Sequence, residues 1–213
     1  MSGIFTFTRN LLMPKIFVSL LFLLAIHTNA LAAVGCSLND PDRDVKRLFP
    51  GSSGYLTSFV TLKESGGQAA REEVEKKLGD KFDAVYEDLD VPYAYYTVLK
   101  GKETVGYIHG VNQKGKFGGL QLIIATDPQQ KIIAFYYQRI SSPKASKFRS
   151  LEFTGQFKGL TLDDFNKYNV SENKFSFGPG TRISDIAGSP EDFRATLRGI
   201  KKNLILLDRF LRG

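Results

Sequence analysis

Apolar residues along this chain follow two periods. Tyr55 to Leu62, Tyr93 to Leu99, Thr104 to Val111, Leu120 to Thr126 and Lys131 to Arg139 are short runs rich in β-branched and aromatic residues, and they predict five strands. Lys100-Gly101-Lys102 joins the second and third through a tight turn, and Asp127-Pro128-Gln129-Gln130 joins the fourth and fifth, so two hairpins and an antiparallel sheet follow. Gln68 to Leu78 carries Ala70, Val74 and Leu78 at four-residue spacing with Gly79 as a stop, which predicts an amphipathic helix. A helical turn is expected at Val45 to Phe49, ended by Pro50-Gly51. The clearest helix lies at the carboxyl end. Ser189 is placed to cap it, Pro190 suits its first position, Glu191 and Asp192 suit its first turn, and Phe193, Leu197, Ile200, Leu204, Leu207 and Leu211 form one stripe. Strands interrupted and ended by helices, without βαβ alternation, predict a single α+β domain built on an antiparallel sheet.

The amino end has a different pattern. Arg9 and Lys15 precede the apolar run Ile16 to Ile26, whose 11 residues fall short of a spanning helix but match a signal peptide. Two processing patterns overlap after it. Ala30-Leu31-Ala32 fits cleavage of a soluble exported protein, whereas Ala33-Val34-Gly35-Cys36 resembles a lipobox, with Cys36 the residue to be acylated and the membrane surface reached through a lipid anchor. Residues 1–36 are therefore read as a targeting segment, 37–44 as a polar linker and 45–213 as the domain, and the protein is expected outside the cytoplasm, in the periplasm or cell envelope.

Composition narrows the chemistry. The 213 residues include one cysteine and two histidines, His27 and His109, which leaves no disulfide framework, haem attachment motif or zinc ligand set. His109 follows Tyr107-Ile108 in a strand, and no motif indicates a nucleophile for it, so a structural role is expected. The formal charge of +7 becomes +5 when residues 1–35 are removed. The cations are scattered over the sequence, and no nucleic-acid partner is expected. Lys114-Gly115-Lys116-Phe117-Gly118-Gly119 is glycine-rich but lacks the spacing of a nucleotide cradle. Asp163 and Asp164 read as a helix or turn entry.

One ordered stretch is more specific. It runs from Lys116-Phe117-Gly118-Gly119-Leu120 to Asp127, through Lys131-Ile132-Ile133, then Ser141-Ser142-Pro143-Lys144, then Phe153-Thr154-Gly155-Gln156-Phe157-Lys158-Gly159. In the order of its elements it resembles the FMN-binding domain family, which includes the flavin-carrying subunits of the sodium-translocating quinone reductase and of the Rnf electron-transport complexes. The resemblance covers roughly residues 45 to 207. It implies an electron-transfer flavin carrier rather than a stand-alone enzyme, with membrane redox proteins as partners. It also implies that Ser141, Ser142, Gln156 and Phe157 line the flavin and that Gly188 and Ser189 lie where the phosphate arrives. The family's covalent attachment uses a threonine in Ser/Thr-Gly-Ala-Thr, and this chain has Ala187-Gly188-Ser189-Pro190. Proline has no hydroxyl to esterify, so FMN is expected to be noncovalent, with Lys144 offering a cation to its phosphate. The alternative is a domain that keeps the fold without the cofactor and serves as an interaction or assembly lipoprotein.

Overall fold

A computed structural model describes residues 35–212, so the expected targeting segment lies outside the described residues except for Gly35 and Cys36. Helix α1 (Pro41–Leu48) opens the described chain, four residues before the expected helical turn and within the stretch read as linker. The physical reason lies in its first residues. Asp40 accepts the Arg43 N–H at 3.1 Å, Pro41 fills the first turn where no N–H is needed, and Asp42 and Asp44 face the positive end of the helix. There follow β1 (Gly54–Val60), α2 (Gly67–Leu78), β2 (Tyr93–Lys100), β3 (Glu103–Lys114), β4 (Gly119–Thr126) and β5 (Ile132–Ile140). Short helices α3 (Ala145–Phe148), α4 (Leu151–Thr154) and α5 (Leu162–Phe165) lead to the two-residue pair β6 (Tyr168–Asn169) and β7 (Lys174–Phe175), and α6 (Pro190–Arg212) closes the domain.

The five long strands form one antiparallel sheet in sequence order. His109 stands opposite both Tyr95 and Ile124, and Ile124 opposite Phe135, which fixes the two faces. On one face Val111, Leu122, Ile124, Phe135 and Tyr137 pack in the cluster that includes Ile200, Leu204 and Leu207 of α6. On the other, Ala94, Tyr96, Ile108, Ile123 and Ala125 are covered by Cys36, Leu38, Val45 and Phe49. A sheet buried on both faces explains the continuous apolar run Leu122 to Ala125 in β4, where a half-exposed strand would alternate. The α+β antiparallel architecture expected from the sequence is present.

Helix α6 departs from a simple stripe. Phe193, Leu197, Ile200, Leu204 and Leu207 are buried as expected, but so are Thr196, Arg198, Lys201, Lys202 and Asn203. Close approach makes this possible at Gly199, where a Cβ would meet Leu122 Cδ1 at 2.1 Å. The buried polar groups then pair. Asn203 accepts at 2.7 Å from His109, and its amide donates to the His109 and Leu122 carbonyls at 3.2 and 3.1 Å, so it pins the helix to β3 and β4. Arg198 bonds Glu87, Asp80, Gln113 and the Lys81 carbonyl, tying the loop after α2 to the same helix. Each large apolar side chain on the helix contributes about 2 kcal/mol by burial.

Candidate functional site

The start of α6 is organised by two carboxylates. Asp185 accepts the backbone N–H groups of Ala187, Gly188 and Ser189 at 3.1, 3.0 and 2.7 Å. Gly188 adopts φ 67°, which allows the chain to curl around that carboxylate. Just inside the helix, Asp192 is wholly buried and accepts from Ser142 Oγ at 2.7 Å, Ser189 Oγ at 3.2 Å and the Lys116 N–H at 2.9 Å. Ser189 thus donates its hydroxyl to Asp192 where the sequence suggests an accepting cap. Ser142 Oγ in turn accepts the Lys144 N–H at 3.2 Å. One buried carboxylate therefore fastens three segments together: the loop after β5, the glycine-rich turn between β3 and β4, and the helix start.

These segments border an open cleft of about 430 Å³, lined by Lys116, Phe117, Pro143, Lys144 and the run from Gly188 to Glu191. Phe117 is 52% exposed, so its ring is open to solvent at the cleft. Lys116 Nζ lies 5.6 Å from that ring's centroid and 2.7 Å from Glu191. The hydrogen bond and charge of Glu191, joined by the charge of Asp192, hold the Lys116 ammonium above its ordinary pKa. The glycine-rich turn between β3 and β4 is one wall of the cleft. A Cβ at Gly115 would stand 3.0 Å from Asp192 Oδ1, and one at Gly118 would stand 3.1 Å from Ser141 Cβ.

The structure brings together Ser141, Ser142, Lys144, Gly188 and Ser189 at or beside this cleft. It does not bring Gln156 or Phe157 there. Gln156 accepts the Ser184 N–H at 2.8 Å and donates to the Ser184 carbonyl at 3.2 Å, clamping the segment that precedes Asp185. Phe157 is fully buried, with its ring 4.9 Å from Phe135 and 5.5 Å from Phe153, so it belongs to the aromatic core under β5. Both lie in a segment whose pattern alternates aromatics with polar residues, and such a pattern does not separate a core wall from a ligand wall. Cys36 is 1% exposed within the second-face cluster, where burial pushes its thiol up to about 12. His109 is wholly buried, and burial pushes it down to about 4, so the ring is neutral. Asp185 was not expected from sequence reasoning. Its signal is the Asp-x-x-Gly-Ser spacing, in which a carboxylate reaches forward to successive backbone donors.

A flavin mononucleotide attached as an ester does not fit these residues, because Pro190 offers no hydroxyl and Asp185 already fills the amides of the helix-entry turn. The place these residues leave for a flavin is the open cleft, where the exposed Phe117 ring and Lys144 meet and Lys116 is paired with Glu191.

No protein-family model matches the chain. One component of the proton-translocating ferredoxin:NAD(+) oxidoreductase complex of Clostridium ljungdahlii is 26% identical over 136 residues, covering 63% of this chain and 68% of that protein. Among solved structures, one component of the Na(+)-translocating NADH-quinone reductase from Parabacteroides distasonis aligns over 85% of this chain and 87% of its own, with a TM-score of 0.43 and 15% identity. The Clostridium ljungdahlii relative belongs to an ion-translocating redox complex, the class of assembly to which the ordered motifs point, so the resemblance read from the sequence stands.

Proposed function

We propose that this chain is an exported flavin-binding domain that works in electron transfer beside a membrane redox complex, holding FMN noncovalently. The observation that carries this is that Lys144, Gly188 and Ser189 line one open cleft with an exposed phenyl ring at its rim, and that Ser141 and Ser142 lie directly beside it. When bound, the isoalloxazine ring supplies the redox chemistry, and the protein's share is orientation and electrostatics. Phe117 and Pro143 offer the ring an apolar face. Lys144 offers the phosphate positive charge, Lys116 being already paired with Glu191 at the same rim, while Asp192 fixes the geometry of the surrounding loops through Ser142, Ser189 and the Lys116 N–H.

Titration of added FMN, followed by flavin fluorescence, tests the site directly. Lys144→Glu and Phe117→Ala should each weaken binding by about tenfold, since one reverses a charge facing phosphate and the other removes a stacking face. Unchanged titrations in both variants would place FMN elsewhere.

Asp185 favours a second role. Its carboxylate occupies the donors that an anion would otherwise use at the helix entry, as expected of a domain kept for its surface rather than for a cofactor. In that role the protein supports a redox complex as a binding partner, and FMN leaves its spectrum unchanged.

For export, the burial of Cys36 supports cleavage after Ala30-Leu31-Ala32 over acylation, because a thioether at that sulfur would draw residue 36 out of the packing against Gly110 and Ile123. Membrane association then depends on protein partners. Fractionation of Cys36→Ala should match the parent; release of the variant from membranes would establish the lipid anchor instead. Among the described residues, no helix is long and apolar enough to cross a membrane.

A further inference from the structure

Between Arg139 and Lys158 the chain carries five cations and one acid, Glu152. The fold gathers them at one edge of the sheet. Strand β5 is an edge strand, and helices α3 and α4 follow directly from its end. A cleft of about 450 Å³ lies between them, and among its lining residues are Arg47, Tyr136, Arg149, Leu151, Thr154 and Lys158. Among the described residues, no carboxylate lines it. Asp44 lies just behind, 2.9 Å from Arg47, but it is buried and also accepts the Tyr136 hydroxyl at 3.0 Å, so it neutralises only Arg47. Arg149 and Lys158 are exposed and enter none of the ion pairs among the described residues, and Lys147 on α3 extends the same charge.

Leu151 stands at this cleft with 89% exposure, the most exposed of the large apolar side chains among the described residues. Leu151, facing a cleft whose apolar lining includes Ile133, Ala134 and Phe135 and whose charged lining is Arg47, Arg149 and Lys158, is a small apolar anchor with a cationic rim, the composition of a transient protein interface. The surface also runs on from the flavin cleft, since Lys144 lines that cleft and begins α3 as its capping residue. Cationic surfaces speed encounter with acidic partners and orient them, which is what a short-lived electron-transfer complex requires.

We propose that the β5–α4 face, with Arg149, Lys158 and Leu151 at its centre, is the docking surface for an acidic protein domain that exchanges electrons with the adjacent flavin cleft. The identity of the cleft rests on the flavin-binding function; the docking surface is measured without flavin. Charge complementarity selects the partner class, and Leu151 is the one strongly exposed large apolar side chain among the described residues that line this cleft, whereas a membrane surface would take up several in one plane.

The test uses a plant-type [2Fe–2S] ferredoxin, a small and strongly acidic redox protein, as the probe for the exported protein at low ionic strength. Binding should be measurable, and it should weaken steeply as salt is raised. The pair Arg149→Glu with Lys158→Glu should weaken it by about tenfold, and Leu151→Ser by a smaller factor, whereas Lys100→Glu with Lys102→Glu at the β2–β3 turn should change it less than about twofold. Equal loss in both charge-reversed pairs would mean a diffuse charge effect and would overturn the proposal. So would absence of probe binding, and retention on phosphatidylglycerol vesicles through Arg149 and Lys158 would then make the face a lipid contact. An FMN titration on the same samples separates the two proposals: intact probe binding without FMN binding refutes only the cofactor, and the reverse refutes only the docking face.

Discussion

Replacing Glu87 by glutamine removes the one negative charge between two buried cations. The Glu87 side chain is 1% exposed and that of Lys202 is wholly buried. Arg198 donates to Glu87 Oε1 at 2.7 Å and to Oε2 at 3.2 Å, and Lys202 bonds Oε1 as well as the Asn112 carbonyl. Burial pushes the Glu87 carboxyl up, but Lys202 and Arg198 outweigh it and hold the group below its usual range. Burial in turn lowers Lys202 to about 8 despite Glu87. Without the carboxylate, Lys202 must either stay charged with no counter-charge or give up its proton in the folded state. Breaking one side of a buried pair costs about 3–5 kcal/mol, and for a domain of this size that lowers Tm by roughly 10 °C. Urea unfolding followed by circular dichroism measures the loss as a shift of the midpoint at constant slope. The double variant Glu87→Leu with Lys202→Met should recover most of it, because apolar groups of similar size carry no desolvation penalty and Arg198 keeps Asp80 and Gln113 as partners. A loss below about 1 kcal/mol for Glu87→Gln would refute the view that this ion pair locks the loop after α2 to α6.

Three further outcomes follow from packing and burial. His109 is held neutral, with its pKa at about 4 against an ordinary 6.5, so its stabilising share is fully present above pH 6.5 and is lost as pH falls through about 4. His109→Gln should flatten that acid-side loss, which is on the order of 3 kcal/mol, in denaturation midpoints taken from pH 7 to pH 4. Gly199→Ala should destabilise by about 1–3 kcal/mol in the same assay, because the new Cβ overlaps Leu122 Cδ1. Cys36 should resist an aromatic disulfide reagent in the native protein and react fully in denaturant; rapid native labelling would contradict its place under Gly110.

The five strands, the helix at Gly67–Leu78 and the proline-led helix at the carboxyl end follow from period and turn residues, because each of those signals acts within a few residues of the chain. What the pattern hides is which side of an element meets which neighbour. Arg198, Lys202 and Asn203 read as the solvent face of an amphipathic helix, yet they are buried because partners from the loop after α2 and from β3 reach them across more than 80 residues of sequence. Phe157 shows the same limit, since a burial-driven aromatic and a ligand-facing aromatic are identical in one dimension. In the candidate site, Ser142, Lys144 and Ser189 were legible from ordered motifs. Asp185 and the wall formed by Lys116 and Phe117 were not, because their roles depend on the turn geometry that folds them onto the helix entry.

The most direct test of the central claim is the visible spectrum of the protein purified from its native envelope, before and after acid precipitation. Noncovalent FMN predicts a yellow protein whose flavin leaves with the acid supernatant, and an apo form that takes FMN up again with a shifted spectrum. A colourless protein whose spectrum does not respond to added FMN would contradict the claim and assign the cleft to the scaffold role favoured by Asp185.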